Sequence, residues 1–504
     1  MSSARSSTAT YAVAIVGAGF AGVTMAKRLK DAGISDFVIL EEAEGAGGVW
    51  RDNVYPGCTC DVPSHLYSFG FDQFRDARVR YPSQAAILDY MRQVVRDHDL
   101  ERHLYTHAGV SAATFDEVAG RWTLITPRGP IQAGAVIWAI GQLHRPRIPE
   151  FPGTDQFSGR AFHSADRAQW AVPDGMDGDI AVVGTGSSAA QMLPELARTA
   201  RSVTVYQRSA AWVLPKPAAR FGPVAQWVLE HVPGAHRAHR AALSYVGDAV
   251  LAPIMRGGWS ALPAEWLARW QLRRQVPDRA LRRKLLPPYA IGEKRILMDS
   301  NFYPALMRPN VELVTDAIDH LTPAGIRTVD GRERRADVIV WATGFQAQQF
   351  FGGVTVTGRD GADLHRVWDE WGGPQAFWGL AVPQFPNMYM IAGPHSFTPA
   401  NSNPLMKDVQ ARYIVRCLRL AARRGAPIEV SEAAMTKYRA WLTTAMAATV
   451  WPQGAASWFK SAERVTNPWP STVREFEQRL AHSPAYSFTT APPSPARTYV
   501  RSRT

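Results

Sequence analysis

A glycine-rich turn occurs twice in this chain, each time between a short apolar run and a helical pattern, and nothing else in the sequence restricts the fold as much. In the first copy Tyr11-Ala12-Val13-Ala14-Ile15-Val16 runs into Gly17-Ala18-Gly19-Phe20-Ala21-Gly22, followed by a helical pattern over residues 23–29 and a second apolar run, Phe37-Val38-Ile39-Leu40. In the second, Ile180-Ala181-Val182-Val183 runs into Gly184-Thr185-Gly186-Ser187-Ser188-Ala189, with a helix expected over 189–199 and a strand at Val203-Thr204-Val205-Tyr206. Units of this kind predict parallel sheets, hence an α/β chain with two dinucleotide-binding, Rossmann-like domains. The glycines have a physical task. The first permits a tight turn, the second lets backbone approach a pyrophosphate, and the third lets the helix pack closely on the strand while its N-terminus faces the phosphates.

The residues that end the following strands separate the two turns. Glu41 ends the first, at the place about 20 residues on where an acid accepts a hydrogen bond from an adenosine ribose. The second unit has Ala189 in the third glycine position and ends in Gln207-Arg208, and a cation there suits a ribose 2′-phosphate. Two dinucleotide sites in one chain point to a flavin and its hydride donor, so FAD is expected in the first and NADPH in the second.

The chain has 504 residues, enough for more than one core, and its formal charge of +12 would attract anions in general. No helix-turn-helix or zinc-finger pattern accompanies that charge, so nucleic acid is not expected as a partner. Three cysteines, Cys58, Cys60 and Cys417, make neither a secreted disulfide framework nor a four-ligand metal site, and no metal is expected. The polar first ten residues and the lack of a bilayer-length apolar run suggest a cytoplasmic protein without stable membrane insertion. Oligomeric state is not legible.

Between residues 216 and 290 the pattern becomes helical and rich in Trp227, Trp259, Trp266 and Trp270, broken by Pro223, Pro253 and Pro263. The expectation is a helical insert with its indoles turned inward and its cations solvated; a membrane-surface helix is the weaker reading of the same stretch, because Pro277 interrupts its basic run. The expected organisation is therefore an FAD-binding domain over 1–155 and 345–482, the latter including an active-site cap, and an NADPH-binding domain over 156–215 and 291–344. The insert occupies 216–290, and an irregular tail 483–504.

The run Gly47-Gly48-Val49-Trp50-Arg51-Asp52-Asn53-Val54-Tyr55-Pro56-Gly57-Cys58-Thr59-Cys60-Asp61 resembles the flavin-adjacent segment of class B flavoprotein monooxygenases, in particular the type I Baeyer-Villiger monooxygenases. Residues 157–163 match the first half of that family's FxGxxxHxxxW signature; the second half departs, with Arg167 four residues after His163 and Trp170 seven after it. Lys294-Arg295, Asn301-Phe302-Tyr303, Ala342-Thr343-Gly344-Phe345, Phe385-Pro386-Asn387 and Gly393-Pro394-His395-Ser396 follow in the family's order.

The resemblance implies NADPH- and FAD-dependent oxygenation of a small apolar ketone, cyclic or aromatic, by O2, giving an ester or lactone through a C4a-peroxyflavin. It implies that Arg295 keeps the flavin's oxygen adduct anionic, that Asp61 orients Arg295 through a paired hydrogen bond, and that His163 couples the two nucleotide domains. Gly48, Val49, Trp50 and Tyr67 would line the flavin, while Lys294, with Arg208, would meet the 2′-phosphate. Gly17, Gly19, Phe20, Gly22, Glu41 and Asp61 complete the expected FAD site, and Gly184, Gly186, Ser187, Ser188, Thr343 and Gly344 the NADPH side. The alternative chemistry with the same cofactors is S- or N-oxygenation of a soft nucleophile. Cys58 and Cys60 also invite comparison with flavin disulfide reductases, but a CxC pair closes a strained ring.

Overall fold

The computed structural model describes residues 8–491 apart from 75, 77, 173, 456, 462 and 463. The first apolar run forms strand Ala9–Val16, flanked in parallel by Phe37–Leu40 on one side and by Gly129–Trp138 on the other. Phe37–Leu40 is buried along its whole length, as expected for a parallel strand covered on both faces. An antiparallel extension, Arg121–Thr126 and Ala112–Asp116, continues this sheet, and Met388–Met390 returns from far along the chain to pair in parallel with Gly129–Trp138. Chain from both ends of the sequence thus builds the first lobe.

The second lobe is a five-stranded parallel sheet in the order Val311–Val314, Ser202–Tyr206, Asp179–Val183, Val338–Trp341, Arg160–His163. Its interior strand Val338–Trp341, fourth in this order, is an unbroken buried run between two parallel neighbours. Each glycine turn caps a strand and opens a helix, Phe20–Asp31 in the first lobe and Ser187–Thr199 in the second. No helix among the described residues is long and apolar enough to cross a membrane.

The insert is helical, with Pro223–His231, Ala235–Val246, Ala261–Gln275 and Arg279–Leu285 as its main helices. Pro223 and Pro263 lie in the first turns of their helices, where a missing N–H costs no intrahelical bond, so they start helices rather than break them. The inward indoles are a correction: Trp227, Trp259, Trp266 and Trp270 are all exposed. In Ala261–Gln275 the buried side chains are Ala268, Gln271 and Leu272, and at 100° per residue Trp266 and Trp270 project from the opposite side. The narrow Ala/Leu face sits against the lobe.

The tail also differs from expectation. Residues 484–486 make a short 3-10 turn, and Phe488–Thr490 pairs antiparallel with Ile428–Val430, burying Phe488; residues 492–504 lie outside the described residues.

Candidate active site

The first turn is shaped by the absence of side chains. Gly17 has φ +103°, and a Cβ there would lie 2.7 Å from the Ala139 carbonyl oxygen. A Cβ on Gly48, at φ +54°, would come within 3.1 Å of Gly19 Cα, so the Gly47-Gly48 loop presses directly on the turn. Val49, half exposed, and Trp50 open the short helix Val49–Asp52 beside it. The Trp50 indole N–H donates to the Tyr67 hydroxyl at 3.1 Å, and the Tyr67 ring meets Phe20 edge-on at 5.2 Å. Phe20, Trp50 and Tyr67, far apart in sequence, thus form one aromatic wall at the turn. Glu41 is buried there, accepting from Ala18 N at 2.8 Å and Ala43 N at 3.0 Å and pairing with Arg51 at 2.9 Å. Its carboxylate braces the turn from within.

The Tyr-Pro-Gly loop crosses to the second lobe. Gly57 has φ +76°, and a Cβ would lie 2.3 Å from the Gln191 carbonyl oxygen in helix Ser187–Thr199; the Tyr55 hydroxyl reaches Gln191 Oε1 at 3.1 Å. This contact delivers Asp61 to Arg295, which is 234 residues distant in sequence, with Nη2 donating to Oδ2 at 2.6 Å. Burial alone would raise the Asp61 carboxyl, yet the Arg295 charge and hydrogen bond, helped by Lys216, hold it below its ordinary range. Asp61 in turn raises Arg295 against the opposing effect of burial, so the pair is ionised. The expected paired contact is corrected to a single one. Asp61 reaches Arg295 end-on through Nη2, and among the described residues the other guanidinium N–H groups have no hydrogen-bond acceptor. The Phe397 ring lies 5.9 Å from the guanidinium carbon and packs edge-on against Trp458 at 5.0 Å. The C-terminal aromatic segment therefore roofs this arginine.

In the second turn Gly184 has φ +121°, and a Cβ would lie 2.4 Å from the Ala342 carbonyl oxygen; Gly186, with open space at its Cβ position, caps the helix that Ser187 and Ser188 begin. Lys294 Nζ donates to Ser209 Oγ at 3.1 Å, and its pKa is lowered by burial and by the neighbouring Arg208 charge. Neither Arg208 nor Lys294 has an ion-pair partner among the described residues. Two adjacent cations without a counter-ion are suited to a phosphate.

His163 ends strand Arg160–His163. Its Nδ1 accepts from Ala165 N at 3.1 Å, which leaves Nε2 as the donor to the Gly344 carbonyl at 2.9 Å. Burial lowers its pKa, in keeping with this neutral tautomer. Arg147 N also donates to Gly344 O, and Thr343 Oγ1 donates to Arg147 O, so the outgoing and returning connections between the lobes are fastened together at this histidine. Trp170 folds back to donate to Ser164 O at 2.8 Å and meets Phe162 edge-on, while Arg167 pairs with Glu44 of the first lobe at 2.5 Å.

The pyridine nucleotide-disulphide oxidoreductase family model matches residues 14–239. A Baeyer-Villiger monooxygenase of Streptomyces coelicolor is 34% identical over 490 residues, covering 96% of this chain and 93% of that protein. The chain belongs to the type I Baeyer-Villiger monooxygenases. Among solved structures, OTEMO in complex with FAD and NADP superposes with a TM-score of 0.84 at 25% identity, covering 95% of this chain and 99% of the other. A cyclohexanone-bound cyclohexanone monooxygenase superposes at 0.82 with 26% identity, covering 96% and 100%.

As a Baeyer-Villiger monooxygenase, the chain is a flavin-dependent enzyme whose cofactors are FAD and NADPH, and its residues fit both groups. The glycine turns provide close backbone approach where a Cβ would collide, and Arg208 with Lys294 places two neighbouring positive charges where a phosphate could be held. Cys58 and Cys60 are free and buried, and burial pushes the Cys58 thiol up to about 11 and Cys60 higher still, so neither offers a thiolate at neutral pH.

The monooxygenase site also contains residues that the sequence did not reveal. Lys216 Nζ donates to Thr59 Oγ1 and to Cys60 O, each at 3.0 Å, and ties the Asp61 loop to the segment that leads into the insert. It stands between Pro215 and Pro217, a context that signals extended backbone and nothing about charge. Phe397 lies just beyond Gly393-Pro394-His395-Ser396, and only the tertiary fold brings it over Arg295.

Proposed function

We propose that this Baeyer-Villiger monooxygenase converts an apolar cyclic or aromatic ketone to an ester or lactone, with FAD in the first lobe and NADPH in the second. The observation that supports this most directly is the Arg295 guanidinium. It is ionised, anchored from one side by Asp61, roofed by Phe397, and has N–H groups free of acceptors among the described residues. Bound flavin, reduced by NADPH, supplies the activated oxygen. Arg295 holds the negative charge that the oxygen and then the ketone oxygen carry, which favours attack on a carbonyl carbon. Asp61 fixes the guanidinium's position, Lys216 holds the Asp61 loop, and the aromatic roof excludes water. His163, through its hydrogen bond to the Gly344 carbonyl, keeps the two lobes in register.

The cyclic ketone bound to the structurally similar cyclohexanone monooxygenase supports this substrate class. The test is a panel of cyclic and aryl ketones, sulfides and amines incubated with NADPH and isotopically labelled O2. One labelled oxygen in a lactone or ester, with NADPH consumed in step, is the expected result. Labelled sulfoxide or N-oxide with no product from any ketone would overturn the reading in favour of S- or N-oxygenation.

Arg208 and Lys294 yield a separable prediction. Replacing both with alanine should raise KM for NADPH roughly 10- to 100-fold, since each charge-assisted contact contributes about 1.5–3 kcal/mol at most. KM for NADH should stay nearly unchanged. Steady-state rates with the two coenzymes check this, and an equal loss with both would remove the 2′-phosphate assignment.

A further inference from the structure

The insert helix Ala261–Gln275 has two apolar faces, and only one of them is used by the fold. Ala268 and Leu272 are buried, whereas Leu262 is 78% exposed, Trp266 65% and Trp270 42%. The three recur every fourth residue and make one stripe, which Trp259, 68% exposed in the preceding turn, extends. A run of large indoles held in water costs free energy that a monomeric surface rarely bears without a partner.

The charges around the stripe indicate what kind of partner. Arg273 falls at the stripe's own angular position, and the Arg274 guanidinium lies 5.3 Å from the Trp270 ring centroid. Neither arginine has an ion pair among the described residues. Residues 216–290 as a whole carry twelve Lys/Arg against four Asp/Glu. A second copy of this chain packed about a two-fold axis would bring these same cations face to face, which disfavours self-association. An anionic bilayer offers both complements at once, with headgroup phosphates for the arginines and an interfacial layer in which indoles settle.

We infer that this helix is a peripheral docking surface for an anionic lipid bilayer, which Trp259, Leu262, Trp266 and Trp270 enter at headgroup depth while Arg273 and Arg274 meet phosphates. The contact is peripheral, made through this helix alone. Such a surface would hold the enzyme where apolar small molecules concentrate, but the inference stands on the helix alone and does not depend on the substrate.

Co-sedimentation of the FAD-loaded enzyme with vesicles tests this. Vesicles of phosphatidylcholine containing phosphatidylglycerol should pull the enzyme down at low salt, pure phosphatidylcholine vesicles should not, and added salt should release it. W266S/W270S and, separately, R273E/R274E should each lower the vesicle partition coefficient roughly tenfold while FAD content and NADPH turnover stay at parental values. Three results would each overturn the inference: no sedimentation with phosphatidylglycerol vesicles, sedimentation that W266S/W270S leaves unchanged, or a concentration-dependent dimer that W266S/W270S abolishes in the absence of vesicle binding.

Discussion

Arg295→Ala should lower the rate of ester or lactone formation by about 10²–10³-fold, the range found when a single preorganised donor to a developing oxyanion is removed. The same variant should still bind FAD, and NADPH should still reduce the flavin under anaerobic conditions, because the role proposed for Arg295 lies on the oxygen side of the cycle. The diagnostic quantity is therefore the ratio of product formed to NADPH consumed, which should collapse while NADPH consumption continues and O2 leaves as hydrogen peroxide. Asp61→Asn should show the same uncoupling to a smaller degree. It keeps a hydrogen-bond acceptor for Nη2 but removes the charge that raises Arg295 and fixes it from one side. A coupling ratio in Arg295→Ala equal to that of the parent enzyme would refute the proposed role of the guanidinium.

That pair also marks where the sequence stops being readable from its residues alone. Asp61 and Arg295 are separated by 234 positions and neither lies in a pattern whose spacing implies the other. Only the resemblance to a family joined them, and the end-on geometry was invisible even then. The glycine turns are the opposite case. Gly17 and Gly184 are dictated by backbone that passes within van der Waals range of Ala139 and Ala342, a constraint that the local strand-glycine-helix pattern already contains. Lys216 and Phe397 were illegible because their importance comes from what packs against them. The insert tryptophans failed for a related reason. Helical periodicity says that two apolar faces exist but not which one meets a core, and here the small residues Ala264 and Ala268 together with Leu272, rather than the bulky ones, face the rest of the molecule. The Phe488–Thr490 strand was hidden in a segment whose composition suggests no structure, since an edge strand of three residues is held by its partner rather than by its own propensity.

Gly22→Ala should yield protein without bound FAD and with reduced thermal stability, although a single methyl is added at a helical position where alanine has the better intrinsic propensity. The reason is distance. The new Cβ would lie 1.9 Å from the Gly17 carbonyl oxygen and 2.9 Å from its carbonyl carbon, and both are backbone atoms with no rotamer to yield. Helix Phe20–Asp31 must then move off the strand or the turn must open, and overpacking of this kind costs about 1–3 kcal/mol or more. Either movement displaces the N–H groups that would face the pyrophosphate, so cofactor loss compounds the destabilisation, because ligand binding to the folded state no longer adds to it. Gly186→Ala in the second turn isolates the two effects. A Cβ there meets nothing within 4 Å, so that variant should keep its FAD and its melting temperature and show only a raised KM for NADPH, where the methyl stands in the way of the coenzyme's pyrophosphate. Flavin absorbance per chain and a thermal melt on each variant suffice. If Gly22→Ala purified with one FAD per chain and an unchanged melting temperature, the close helix-strand contact would not be what organises the first cofactor site.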